Sequence, residues 1–284
     1  MWLAALFYLI MKPIISYYGG KQRMAAKIVP LIPHHLMYVE PFFGGGAVFF
    51  AKGKPKVSNS DYGHEIINDK DERLINFYRC FQNNFGELYQ RIVWTLHSEA
   101  EHRRAKEIMK DHQAGSVAYT SVDLAWAYYV NIQQSFSNVI NGGWARTKGT
   151  PARNQGATWW NHTARLEALH ERFRDVSISC TDALKVIQQR DHENTFFYID
   201  PPYPEAEQGH YSGYTIEDFQ ELIDLLATVK GKFILSNYNQ EKCAFPDNWI
   251  KHEFKAVCTA SKDKTSRTEV VWMNFDPEKQ EALI

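Results

Sequence analysis

The stretch Val39-Glu40-Pro41-Phe42-Phe43-Gly44-Gly45-Gly46-Ala47-Val48-Phe49-Phe50 constrains the fold of this chain more than any other. An apolar strand runs out at Glu40, three consecutive glycines turn the backbone, and an apolar helix begins. Open α/β sheets bind ligands at strand-to-helix turns of this kind, and glycine removes the side chains that would hold a ligand away from the main chain. The spacing is not G-x-G-x-x-G and no G-K-[ST] follows, so neither a dinucleotide fold nor a phosphate-gripping loop is supported. A tight β–α connection without a ligand is the plain structural alternative. Downstream, Ile66-Ile67-Asn68-Asp69 reads as a second strand ending in a carboxylate that suits two ribose hydroxyls. Its alternative is a helix N-cap, which Asp69 or Asp71 would serve. An amphipathic helix through Leu74, Phe77, Tyr78 and Phe81 follows. Upstream, Ile28, Val29, Leu31 and Ile32 predict a short helix closed by Pro33.

A second run, Phe196-Phe197-Tyr198-Ile199-Asp200-Pro201-Pro202-Tyr203, is an apolar strand leading into a rigid two-proline turn. That turn holds the Asp200 carboxylate and the Pro201 carbonyl at the strand's carboxyl end. Two acceptors facing one amine suit an exocyclic aromatic amine. Its lone pair is delocalised into the ring, and two hydrogen bonds would pull the nitrogen toward tetrahedral geometry. Tyr203 would stack on the base, an interaction worth about 1–3 kcal/mol. The expectation is methylation of a nucleobase amine; the alternative is a strand and turn built from common turn residues.

The 284 residues, 44% hydrophobic and 14% aromatic, suffice for one catalytic α/β domain with a modest insert. A net charge of −1 excludes the global basicity of a nucleic-acid coat, so any contact with DNA must come from local charge. Cys80, Cys180, Cys243 and Cys258 form no C-x-x-C pair, which argues against a zinc site and fits reduced thiols in a cytosol. Residues 1–10 are apolar but too short to span a bilayer, and they lack a basic leader and a cleavage site. They read as an extension ahead of a natural start at Met11, with an extra docking helix as the alternative.

Between Leu124 and Leu166 there is no Asp or Glu, while Arg146, Lys148, Arg153 and Arg165 lie amid Trp126, Tyr128, Phe136, Trp144, Trp159 and Trp160. This tract is the expected DNA face: cations attract phosphates, and Gln133, Gln134, Asn138 and Asn141 could reach base edges. An exposed loop with core aromatics is the alternative. Asn141-Gly142 predicts a β-hairpin turn. Glu87 to Asp111 mixes both charge signs at helical spacing, with Leu88, Ile92, Leu96 and Ile108 as apolar positions, and its charges read as a solvated face. The helix carrying Leu166, Leu169 and Phe173 leads back to the sheet.

Four markers stand in order here: Tyr17-Tyr18-Gly19-Gly20-Lys21, the Pro41-Phe42-Phe43-Gly44-Gly45-Gly46 loop, the Asn68-Asp69 strand tip, and Asp200-Pro201-Pro202-Tyr203. In this order the chain resembles the Dam-type, or D12-class, DNA adenine N6-methyltransferases from about Ile14 to Phe275. Residues 232–237 and 269–275 look like the family's late strands. The resemblance implies a Rossmann-like, S-adenosylmethionine-dependent methyltransferase sheet with an inserted, mainly helical DNA target-recognition region. It would divide the chain into a catalytic domain, residues 11–84 and 163–284, and an insert, residues 85–162.

By position, the resemblance implies that Tyr17 and Lys21 hold the methionine end of S-adenosylmethionine, that Glu40, Phe42, Gly44 and Gly46 form the loop beneath it, and that Asp69 binds its ribose. Asp182 would contact the cofactor adenine, with helix capping as the alternative. Asp200, Pro201, Pro202 and Tyr203 would act on the flipped adenine of double-stranded DNA. Arg146, Lys148, Arg153, Asn138 and Asn141 would meet the DNA, and no metal is implied. The expected setting is the cytoplasm of a bacterium or phage-infected host, as a monomer or weak dimer. The segment Ser135 to Arg146 keeps only part of the F-N-G-L-x-R-x-N pattern of GATC enzymes, so no recognition sequence follows. An N4-cytosine methyltransferase typically resembles S-P-P-Y at the turn, and RNA or protein-amide enzymes N-P-P-Y. A catalytically silent DNA-binding module is the rival from another class. Residues 204–211 look like a flap over the base, with Tyr211 or Tyr214 near it; packing against the helix from Ile216 through Leu226 is the alternative for both and the preferred reading for Tyr214. Residues 260–268 look like a hairpin loop beside the DNA backbone, with plain exposed charge as the alternative.

Overall fold

The computed structural model describes residues 11–16, 20–54, 63–146, 154–203, 213–238, 243–256 and 267–279. Residues 1–10, Tyr17, Lys148, Arg153, Cys258, Tyr211, the 204–211 flap and most of the 260–268 loop lie outside the described residues. The elements in chain order are α1 (Gln22–Ile28), β1 (Met37–Glu40), α2 (Ala47–Lys52), β2 (His64–Asn68), α3 (Glu72–Asn83), α4 (Phe85–Val93), α5 (Glu99–Gln113) and α6 (Ser121–Gln133). There follow α7 (Gln155–Thr163), α8 (Leu166–Phe173), β3 (Ser177–Ser179), α9 (Ala183–Arg190), β4 (Thr195–Ile199), α10 (Ile216–Leu226), β5 (Lys232–Tyr238), β6 (Ile250–Ala256) and β7 (Arg267–Met273).

The strands form a seven-stranded sheet in the order β3-β2-β1-β4-β5-β7-β6. β1 pairs in parallel with β2 on one side and β4 on the other, and β4 with β5, whereas β7 lies antiparallel between β5 and β6. This is a Rossmann-like α/β sheet whose strand order reverses between β1 and β4, the kind of switch point at whose carboxyl side open α/β sheets bind ligands.

Contacts divide the chain into two compact units, one of Met1–Val29, Gly44–Pro55 and Asp69–Cys180, the other of Pro30–Phe43, Lys56–Asn68 and Thr181–Ile284. In the second unit, alternation along the strands gathers Val39, Ile66, Phe197, Ile199, Phe233 and Leu235 into one core. Val186 and Ile187 of α9, Phe219, Leu222, Ile223 and Leu226 of α10, and Trp249 complete it. Every residue of β4 is buried, as its unbroken apolar run predicts for a strand covered on both faces. α10 begins with a capping box between Thr215 and Asp218, which satisfies end groups that would otherwise lack partners.

In the first unit α6 is buried nearly all round, as an apolar helix without a polar face must be. It packs on α3 and α5, and Phe77 of α3 stacks on Tyr129 with centroids 5.5 Å apart. Arg172 of α8 is buried, lies 3.8 Å over the Phe49 ring, and donates to the carbonyls of Phe49 and Gly53 at 3.2 and 3.0 Å.

Several local expectations change. The first helix lies earlier, ending at Ile28 and tightening into a 3-10 turn over Val29–Leu31, because Pro30 has no N–H with which to continue the helical hydrogen-bond ladder. The 87–111 lobe is two helices, and Leu96 sits in the gap between them, 73% exposed. The turn near Asn141 is centred one residue earlier: the Gly142 N–H donates to the Val139 carbonyl at 3.0 Å, with Asn141 left-handed at φ 57°. Gly142 is required there, since a Cβ would meet the Val139 oxygen at 2.8 Å. Ser135 and Trp144 form an isolated antiparallel bridge rather than a hairpin of strands.

Candidate active site

At the switch point, β1 delivers Glu40 and β4 runs into Asp200. The Tyr38 hydroxyl donates to Glu40 Oε1, because residues two apart on a strand share a face. Both side chains are buried, and burial, with Glu40 next in effect, pushes the Tyr38 phenol well above its ordinary range. The Tyr203 hydroxyl donates to Asp200 Oδ1 at 3.1 Å, so the two-proline turn brings these two predicted residues together. Tyr203 and Pro201 are buried, while Asp200 and Pro202 are half-buried. Phe42 meets Tyr214 edge-on at 6.3 Å, in keeping with the packing role open to Tyr214.

Asn68, a polar residue ending an apolar strand, ties this end of the sheet together. Its Nδ2 donates to the carbonyls of Pro41 at 2.9 Å and Thr181 at 3.0 Å, and its Oδ1 accepts the Thr181 N–H at 3.0 Å. The Phe43 N–H donates to the Asn68 carbonyl at 2.9 Å. Asp182 accepts the N–H groups of Leu184 and Lys185 at 2.9 and 3.3 Å and therefore caps α9.

In the first unit, Gly44 and Gly46 are left-handed, at φ 50° and 65°, a conformation open to glycine at little cost. The Gly44 N–H donates to Asp69 Oδ2 at 2.9 Å, and the Tyr78 hydroxyl donates to the Gly44 carbonyl at 3.1 Å. Asp71 caps α3 by accepting the Arg73 N–H, leaving the buried Asp69 to hold the glycine loop and, through Oδ1, the Asp71 N–H at 3.0 Å. The Lys21 side chain is buried, and its carbonyl opens α1 by accepting the N–H groups of Met24 and Ala25.

Burial pushes the Asp69 carboxyl up from 3.8 to about 6, against the N–H groups of Asp71, Gly44 and Lys70, which favour its charged form. The folded state thus binds a proton that the unfolded state has released between pH 4 and 6. Stability from this group is therefore expected to fall as pH rises through that window, by about 3 kcal/mol, and to level off above it. Urea unfolding of the wild type and Asp69→Asn across this range checks the effect, which the variant should lack.

The profile described as "D12 class N6 adenine-specific DNA methyltransferase" matches residues 17–265. The chain belongs to this class. The D12-class chain is 26% identical to the type II methyltransferase M1.LlaDCHI of Lactococcus lactis subsp. cremoris over 93% of its own length and 96% of the relative's. It is 23% identical to the type II methyltransferase M.MjaIII of Methanocaldococcus jannaschii over 74% and 75%. An rRNA methyltransferase of Streptomyces viridochromogenes superposes with a TM-score of 0.35 at 13% identity, covering 91% of this chain and 88% of the other.

In this D12-class enzyme the acid-free tract does not form one aromatic surface. Trp126, Tyr128 and Trp159 are buried, whereas Phe136 and Trp160 are 70% and 65% exposed. The Trp126 and Trp159 N–H groups both donate to Thr95, at its hydroxyl and its carbonyl. Arg146 is exposed. Asn138 is half-buried and left-handed, with Nδ2 3.4 Å from Gln133 Oε1. Asn141 is locked to Asn131: its N–H donates to Asn131 Oδ1 and its Oδ1 accepts from Asn131 Nδ2, both at 2.9 Å. Tyr38, Asn68, Tyr78 and Asn131 were outside the sequence-based site. Only Asn68 carries a local signal, as an amide ending an apolar strand. Among the described residues no group of three or more His, Cys, Asp or Glu could hold a metal, and no helix is long and apolar enough to cross a membrane.

Proposed function

We propose that this D12-class enzyme transfers a methyl group from S-adenosylmethionine to N6 of an adenine rotated out of double-stranded DNA at a defined sequence. The observation that carries the reading is Asp200, set by a rigid turn at the carboxyl end of β4, beside the switch point, and oriented by the Tyr203 hydroxyl. Asp200 and the Pro201 carbonyl accept the N6–H bonds and localise the nitrogen lone pair. Tyr203 offers its ring to the base, which offsets part of the few kcal/mol that flipping costs. The N6–C bond forms as the S–C bond breaks, and the proton that N6 loses passes to Asp200.

The residues fit the cofactor by the chemistry of their donor set. A left-handed glycine pair admits close approach to the main chain, and the buried Asp69 carboxylate matches hydroxyl donors, which would favour its charged form. Bound S-adenosylmethionine supplies a methyl group activated by its sulfonium, so positioning supplies much of the rate. Glu40 and Phe42, with Tyr17 and Lys21, complete the cofactor side, and Asp182 contributes through the start of α9. Residues 85–162 form the target-recognition region, with Arg146, Lys148, Arg153, Asn138 and Asn141 facing DNA, and residues 11–84 and 163–284 form the catalytic domain. We assign the enzyme to the cytoplasm, as the modification arm of a type II system like those its relatives are named for.

Incubating the protein with S-adenosylmethionine and unmethylated genomic DNA, then quantifying nucleosides by mass spectrometry, tests the reading. N6-methyladenine is expected. N4-methylcytosine would overturn the base assignment, and DNA binding without methylation would favour a silent module.

A further inference from the structure

The cleft between α5 and the 141–144 turn, about 840 Å³, carries charge that the proposed chemistry does not use. Arg103, Lys106 and Lys110 line one wall and Asn141 to Trp144 the other. Their spacing of three and four puts the three cations on one helix face, separated by about 4.5 and 6 Å of axial rise. Arg103 and Lys110 are exposed and make no ion pair among the described residues. Lys106 Nζ donates to the carbonyls of Asn141 at 2.9 Å and Gly142 at 3.3 Å, uncharged partners that leave its charge uncancelled. Glu99 and Glu107 are the acids of the cleft. On the facing wall Gly143 leaves open space where a side chain would stand.

We propose that this cleft holds the sugar–phosphate backbone of the DNA substrate; the inference rests on the DNA-methyltransferase reading and adds a positioning surface to it. A row of cations along an open cleft fits an extended polyanion, and phosphate contacts set register without reading sequence. Lys106 belongs to both the row and the turn, so the backbone anchor and the 135–144 segment hold a common register. Sequence spacing alone leaves these charges as a solvated face; the facing turn gives them a shared ligand.

The test measures affinity for a short random-sequence duplex over a salt series, for the wild type and the double variant Arg103→Gln, Lys110→Gln. The slope of log K against log salt is expected to shrink by about 1.8, roughly 0.9 for each phosphate that the variant no longer neutralises. The charge-keeping pair Arg103→Lys, Lys110→Arg should retain the wild-type slope and so control for folding. The map of methylated sites should not change. An unchanged slope in the double variant overturns the inference, as does a shifted map, which would make these residues base readers. A wild type that neither binds nor methylates duplex DNA would instead sink the underlying reading, and this inference with it.

Discussion

Asp200→Ala is expected to lower methyl transfer to DNA by roughly 10²–10⁴-fold, the range typical for a group that accepts a proton in the transition state. The carboxylate lies at the end of a fully buried strand, so the alanine variant should fold. What it loses is the acceptor proposed to localise the N6 lone pair and the partner of the Tyr203 hydroxyl, 3.1 Å away. Single-turnover methylation at saturating DNA, with calorimetric titration of S-adenosylmethionine, separates the two ligands: the rate should collapse while cofactor affinity stays. Asp200→Asn keeps the shape but offers an amide in place of the carboxylate, so it should also be impaired. A fully active Asp200→Ala enzyme would refute the assigned role.

Asn68→Ala is expected to destabilise the protein by about 3 kcal/mol. The side chain is fully buried and makes three hydrogen bonds, to the Pro41 carbonyl and to both main-chain groups of Thr181. Truncation leaves two carbonyls and one N–H facing a cavity, and an unsatisfied buried group costs about 1–3 kcal/mol. Urea unfolding should show a lower midpoint at unchanged slope. Because the same bonds hold the start of the glycine loop and the start of α9, affinity for S-adenosylmethionine should fall as well. A variant of wild-type stability would mean that water or a neighbour replaces all three bonds.

Legibility in the sequence followed the range of the interaction. The helices through Leu74 and Phe81 and from Ile216 to Leu226 were readable because apolar spacing and caps act within a few residues. Where periodicity was carried across a break it failed: Leu96 fitted the phase of α4, but Ser98 starts a new helix by accepting the Ala100 N–H. Ser98 with Glu101 was the signal of that restart. Asn141-Gly142 marked a turn, yet the turn centres on Ile140-Asn141, because Asn131 on α6 grips Asn141.

By itself the sequence determined the strand–glycine–helix element, the Asp-Pro-Pro-Tyr turn, the order of the markers and the acid-free tract. These rest on local backbone preference and covalent order. The tertiary structure alone decided that Asp71 and not Asp69 caps α3, that Asp69 is buried and therefore hard to ionise, and that Trp126 is core while Phe136 is exposed. It also decided that Asn68 finds its partner 113 residues away at Thr181. The reason is physical: burial and long-range hydrogen bonding depend on which strands and helices become neighbours, and no spacing along the chain encodes that adjacency.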